Sequence, residues 1–262
     1  MNVYIMVDLE GISGVYRREQ MSEGIRYEEA RRFMTWDVNA CVEGCKAGGA
    51  KTVIVRDAHA HGSNMLWHEL SPLIDRVIQG TSKPDERLPY IKECDAVILL
   101  GYHAMAGTRG GVLEHTMSSA SWQNFWINGK LAGEIAIDAA IAGEHGKPVI
   151  MVSGDDYACA EARTIMPDIV TAEVKKGHHV AGAGLLVKEK AHELIRNSAA
   201  EAVLKAKEIK PYVVEKPVKL RLELIERGQV PSQHMMPYME MIDGRTYEVT
   251  ADSVEEGLFR LG

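Results

Sequence analysis

Val3-Tyr4-Ile5-Met6-Val7, followed at once by Asp8-Leu9-Glu10-Gly11, is the most informative stretch of this chain. Five consecutive apolar residues without alternation suit a strand covered on both faces, the pattern of parallel sheets. The acids sit where such a strand would end. Runs of the same kind recur at Thr52–Val55, Ala96–Leu100 and Pro148–Val152, and Asp168–Val174 reads as a fifth. Helical patterns lie between them. From Tyr27 to Cys45 the apolar residues Phe33, Met34, Val38, Cys41 and Cys45 recur at three- and four-residue spacing, with Gly48-Gly49 as a stop. Another helix begins near Glu134 and closes at Gly146. Alternating strands and helices predict an α/β fold, a mostly parallel sheet with helices on both faces.

The pattern changes after Gly184. A helix from Leu185 to Lys207 leads to Pro211, and then Val218, Leu220, Leu222 and Leu224 alternate with Lys219, Arg221 and Glu223. Strict alternation predicts a half-exposed antiparallel strand. Arg245–Thr250 reads as a second strand, and Asp252 or Ser253 caps a short final helix. The expected organisation is an α/β domain over 1–183 and a smaller α+β region over 184–262 that contributes to packing and oligomerisation.

Composition narrows the class. The 262 residues, 46% hydrophobic and 26% charged, suffice for a core without staples. A net charge of −7, from 30 Lys+Arg against 37 Asp+Glu, argues against nucleic acid as a partner. Four cysteines with no CxxC pair argue against a disulfide framework or a thiolate zinc site. No apolar run approaches the roughly 20 residues of a membrane span, and the N-terminus enters a strand pattern without a basic leader. A cytoplasmic protein with no membrane partner is expected.

The chemistry gathers at strand ends. In open parallel sheets, ligands bind in the crevice outside the strand C-termini. Asp8 and Glu10 share a face of an extended strand and repel unless a cation sits between them, a metal being the simplest. Strand two runs into Asp57-Ala58-His59-Ala60-His61, where Asp57 is placed to orient the His59 ring. Strand three runs into Gly101-Tyr102-His103, and strand four into Ser153-Gly154-Asp155-Asp156. Gly107–Gly111 is Gly-rich but lacks the Lys-Ser/Thr of a P-loop and reads as a mobile loop. His115 follows it, and Ser121–Lys130 reads as a strand ending in a turn at Asn128-Gly129. Glu134 opens a helix, where an acid also suits the helix dipole. Asn124 and the 107–111 loop are candidate pocket lining. Cys41 and Cys45 have apolar neighbours and read as core, while His178, His179, His192 and His234 have no partner pattern and are expected at the surface.

Two families come into view. VDLEGIS resembles the DxDGT loop of haloacid-dehalogenase-like magnesium phosphatases, and SGDD resembles their acidic motif. That family places its proton-donating Asp where Glu10 stands, and it leaves His59, His103, His115 and Glu134 without a role. The second resemblance accounts for all of them. VDLEGISG, VRDAHAHGSNM, LLGYHAMAGT, GVLEHTMS, INGKLAGEIAID and VIMVSGDD, in this order, resemble the zinc-dependent D-aminopeptidases of the bacterial dipeptide-transport-protein A family.

That resemblance implies metal ligands at Asp8, Glu10, His59, His103 and Glu134, with His115 as the catalytic histidine. It implies two Zn²⁺ per subunit, sharing Asp8, and hydrolysis of short peptides with a free N-terminus, D-Ala-containing ones in particular. It also implies a ring-like homo-oligomer, such as a decamer, with active sites facing an enclosed chamber. His115 is open to two roles, the family's nucleophile or a proton shuttle, because zinc already activates water. The alternatives are the magnesium phosphatase and a non-catalytic metal- or peptide-binding module.

Overall fold

The computed structural model describes residues 1–83, 85–231 and 238–261. In chain order the elements are β1 (Asn2–Val7), α1 (Ile25–Ala47), β2 (Thr52–Asp57), β3 (Arg76–Ile78), β4 (Ala96–Tyr102), β5 (Trp122–Ile127) and β6 (Lys130–Leu131). Then come α2 (Glu134–Glu144), β7 (Val149–Asp155), α3 (Asp156–Ile165), β8 (Val170–His179), β9 (Gly182–Leu185) and α4 (Lys188–Lys205). The chain finishes with β10 (Val218–Leu224), β11 (Met239–Met241), β12 (Thr246–Ala251) and α5 (Val254–Leu261).

The continuous apolar runs form the centre of a seven-stranded sheet of order β3-β2-β1-β4-β7-β8-β9. Its pairings are parallel from β3 to β8, and β9 returns antiparallel at the edge. From β1 the chain builds outward to β2 and β3 on one side, then crosses to β4, β7 and β8 on the other. The strand order therefore reverses between β1 and β4, and a crevice opens at their C-terminal ends. Asp8 and His103 are the residues that immediately follow those two strands.

Both faces of the sheet are covered, which is why the runs lack alternation. Val3, Ile5 and Val7 pack with Met34, Val38 and Cys41 of α1 and Ile195 and Ala199 of α4. Gly44 makes that helix pair close, since a Cβ there would fall 2.1 Å from the Arg196 carbonyl oxygen. Tyr4 and Met6 point the other way, onto a core that includes Ile135, Ile137 and Ile141 of α2 and Phe125 and Leu220 beyond it. α2 is thus clasped between two sheets and is buried from Glu134 through Gly143, as a helix apolar on all sides must be. Among the described residues no helix is long and apolar enough to cross a membrane.

The second sheet is antiparallel, of order β11-β12-β10-β5-β6. The alternating segment 218–224 is its β10, with Leu220 opposite Ile127 and Leu222 opposite Phe125. The chain therefore does not divide in space at 183/184. That boundary falls inside β9, the second sheet draws strands from both sides of it, and α4 packs on α1 against the first sheet. The expected fifth strand is found as β8, displaced to 170–179. The unanticipated α3 buries only Ala158, Cys159 and Ala162, a stripe of small residues that leaves little apolar periodicity to read.

Candidate metal centre

Two strand ends forced close together build this site. The β1–β4 pairing continues past the strands, with the Asp8 amide donating to Leu100 O at 2.9 Å and the Gly11 amide to Gly101 O at 2.7 Å. A Cβ on Gly11 would meet the Tyr102 carbonyl oxygen at 2.0 Å, and one on Gly101 would meet that of Asp8 at 2.5 Å. Gly101 is also left-handed, at φ 71°. These glycines let Asp8 and His103 stand side by side. The end of β2 delivers His59, the turn after β1 delivers Glu10, and the first residue of α2 delivers Glu134.

The five side chains are buried and converge. Asp8 Oδ1 and Glu10 Oε2 each lie 3.1 Å from His59 Nδ1. Asp8 Oδ2 and Glu134 Oε1 each lie 3.3 Å from His103 Nε2. His115 Nε2 is 3.6 Å from Glu134 Oε1, and its ring stacks on that of His103 with centroids 4.1 Å apart. Leu113 and Met117 flank His115 in left-handed backbone, at φ 54° and 58°. Such conformations cost about 1–3 kcal/mol each and concentrate at functional sites.

The far nitrogen of each ring fixes what the near one can do. His59 Nε2 donates to Met21 O, His103 Nδ1 to Ala104 O and His115 Nδ1 to Leu113 O, each at 3.0 Å. A carbonyl oxygen only accepts, so each outward nitrogen carries a proton and each inward one is a lone pair in the neutral ring. Three lone pairs and three carboxylates then share one buried space, acceptor against acceptor. Only cations relieve that, whether protons or a metal. His103 Nε2 is buried without a hydrogen-bond partner. Without metal, protons fill the role. Burial pushes the His59 and His103 pKa values down, but the surrounding carboxylates outweigh it and lift both well above the ordinary range. Burial raises Asp8, but its histidine partners hold it well below the usual carboxylate range. Glu134, against the same burial, is held at about 2 by His103. The atoms of Asp8, Glu10 and His103, and those of His103, His115 and Glu134, each lie within 4.8 Å of one another. Nitrogen and oxygen donors without thiolate suit a borderline divalent ion.

The family model for D-aminopeptidases matches residues 1–261. The chain belongs to that family. A D-aminopeptidase of Bacillus subtilis (strain 168) is 34% identical over 249 residues, covering 94% of this chain and 89% of the relative. The fold superposes at a TM-score of 0.93 on a solved structure described as the Zn-dependent D-aminopeptidase DppA from Bacillus subtilis, a self-compartmentalizing protease. That match is 31% identical and covers 99% of this chain and 95% of the other.

Several residues that sequence reasoning placed near the site do other work in this D-aminopeptidase-family chain. Asp57 does not touch the His59 ring; its carboxylate accepts the Asn64 amide at 2.6 Å, Asn64 Nδ2 at 2.8 Å and the Met65 amide at 3.1 Å, holding the 59–65 turn. His61 is exposed. Asp155 caps α3 through the Ala158 amide and also accepts the Val112 amide, each at 2.7 Å. Asp156 accepts the Gly177 amide at 2.8 Å. The 107–111 loop is tied down rather than free, by Gly107 N–H to Glu114 Oε2 at 2.6 Å and by the Val112 bond. It lines a separate cavity with Tyr157, His178 and His179. Asn124 lies on β5 and donates to Glu223 at 2.6 Å. His178 and His179 are exposed as expected, but His192 is half-buried, 3.3 Å from Asp37. His234 lies outside the described residues.

Three supporting residues were missed. Lys175 is fully buried, and its ammonium donates to the carbonyls of Glu10, Ile12 and Val15 at 2.6–2.9 Å, clamping the turn that carries Glu10. Burial brings its pKa down to about 8. Nothing in the local pattern of Ala172-Glu173-Val174-Lys175 marks it. Arg87 forks onto Asp138, which also accepts the Tyr102 hydroxyl at 2.7 Å, and lies 3.8 Å from Glu134. Asp138 was the available signal, a lone charge in an apolar helix that demands a cation. Glu161 accepts the Met105 amide at 2.8 Å, and burial pushes its carboxyl up to about 7.

Proposed function

We propose that this chain is a zinc-dependent aminopeptidase that hydrolyses short peptides with a free N-terminus, D-Ala-type peptides foremost. The observation that carries the reading is the acceptor-against-acceptor cluster, in which the ring tautomers leave every inward nitrogen ready to ligate. The fit to zinc rests on its donor set of imidazoles and carboxylates and on the orphaned His103 Nε2. Asp8 offers one oxygen to each histidine, so it is the residue to be shared. One ion would take Asp8, Glu10 and His59; the other would take Asp8, His103 and Glu134. Zinc in such a pair would lower the pKa of a bound water to about 7 and polarise the scissile carbonyl.

The protein's own groups do the rest. His59 and His103 are held in ligating orientation by their bonds to Met21 O and Ala104 O. His115 carries its fixed proton on Nδ1, so Nε2 is the atom that takes up a proton and passes it to the leaving amine. Glu134 keeps its orientation through the Met117 amide, at 2.8 Å. The family of the chain supports the D-preference. The self-compartmentalizing relative supports a ring-like homo-oligomer with enclosed sites.

The test is release of free D-alanine from D-Ala-D-Ala before and after exhaustive chelation. Activity should vanish on chelation and return with Zn²⁺. Undiminished turnover without metal, or hydrolysis of phosphomonoesters in place of peptides, would overturn the reading.

A further inference from the structure

Arg56 is a buried charged side chain to which neither the fold nor the metal-facing cluster supplies an ion-pair partner among the described residues. It lies on β2 three residues before His59, on the face that also carries Ile54. The residue is only 8% exposed. Nη2 donates to the Ser82 hydroxyl at 3.0 Å, while Nε and Nη1 are buried with no partner. Among the described residues Arg56 makes no ion pair. The Tyr4 hydroxyl, on which the Arg56 charge acts, is likewise buried and unpartnered. A buried guanidinium with so few bonds is costly unless an anion completes it.

The surrounding space indicates what that anion is. Arg56 lines a cavity of about 490 Å³, within the range of small-molecule sites. Ala58 and Met117 border it on the side of the metal-facing residues, each within two positions of His59 or His115; Trp122, Leu258 and Phe259 give it an apolar wall. Its two acids are already engaged. Asp57 holds the Asn64 turn, and Glu255 accepts the Arg87 amide at 2.6 Å. Arg87 is itself neutralised by Asp138. Lys83, the other lining cation, pairs with Glu86 at 3.9 Å, which leaves Arg56 the lining cation without an ion pair among the described residues, in a cavity that opens beside the candidate catalytic cluster.

We propose that this cavity is the subsite for the leaving residue of the peptide and that Arg56 binds its C-terminal carboxylate. This rests on the peptidase reading above. A peptide offers an amine at one end and a carboxylate at the other, and only the carboxylate suits a lone guanidinium. The substrate class is thereby narrowed to very short peptides with a free C-terminus, because chain extension or amidation removes the charge from that position. Arg56 is a specificity-determining residue and takes no part in bond cleavage.

The experiment compares acid and amide pairs. In calorimetric titrations the wild-type protein should bind N-acetyl-D-alanine at least ten-fold more tightly than N-acetyl-D-alaninamide. Arg56→Met should abolish that preference, and Arg56→Lys should keep part of it. In kinetics, kcat/KM for D-Ala-D-Ala should fall ten- to a hundred-fold in Arg56→Met, through KM, with the value for D-Ala-D-Ala amide unchanged. Equal binding of acid and amide by the wild type overturns the proposal without any substitution. So does an acid preference that survives in Arg56→Met, which would assign the carboxylate to another group such as the metals. Should the wild type hydrolyse neither peptide, the peptidase reading fails, while the titrations still decide Arg56.

Discussion

The ends of β1 and β7 look alike in sequence, each a buried apolar strand running into two acids, and the folded protein uses them in opposite ways. Asp155, which ends β7, and Asp156, which opens α3, accept backbone N–H groups, from Ala158, Val112 and Gly177. Asp8 and Glu10 after β1 face imidazole nitrogens whose only protons in the neutral ring point elsewhere. The β7 acids are complete with the protein alone, and the β1 acids are completed only by an added cation. Carboxylates beside a helix N-terminus find donors locally, whereas carboxylates at the reversal of strand order meet side chains from other strands.

Exchanging the acids should separate the two regions most sharply. Asp8→Asn should lower kcat/KM by more than about 10³-fold and leave the protein short of metal by elemental analysis. Asp155→Asn should retain its metal and its turnover at 25 °C, losing about 1–2 kcal/mol of stability with its cap in denaturant titration. Equal metal loss in both variants would erase the contrast.

His115→Gln probes the β1 side alone. Its kcat should fall by about 10²–10⁴-fold with metal content unchanged. Loss of metal in that variant would move His115 among the ligands, a place its position beside His103 and Glu134 also permits.

The smallest effect is expected behind the site, at Glu161. Burial raises its carboxyl to about 7 from an ordinary 4.5. The folded state therefore holds that proton more tightly, and the associated stability is complete below about pH 4.5 and lost as pH rises through 7. Glu161→Gln, neutral throughout, should raise Tm by a few degrees at pH 8 and give nothing near pH 4.5. An identical Tm difference at both pH values would show that ionisation of Glu161 is not the cause.

Much of this was legible in the linear chain. The continuous runs 3–7, 52–55, 96–100 and 148–152 signalled strands buried on both faces, and they form the middle of the large sheet. Asp8, Glu10, His59, His103, His115 and Glu134 were marked before any geometry, and the fold brings them together. The supports were not legible. Lys175 reaches three carbonyls more than 150 residues away in sequence, and Arg87 finds Asp138 across 51 positions. The 183/184 boundary was misread because a change in local periodicity marks a change in strand exposure, and β10 pairs with β5 from the other side of it.

Sequence by itself determined the central strands of the large sheet and the long helices α1, α2 and α4, which residue types gather at strand ends, and which family the chain resembles, because periodicity and residue order are local properties. Tertiary structure alone decided which acids remain unsatisfied, which ring nitrogen faces inward, and that Arg56 has a cavity before it and no ion pair among the described residues. Those depend on the order of strands in the sheet and on the close approach that Gly11 and Gly101 permit. A hydrogen-bond partner from a distant strand can change a carboxylate from a helix cap to a candidate ligand, and no local pattern encodes that choice.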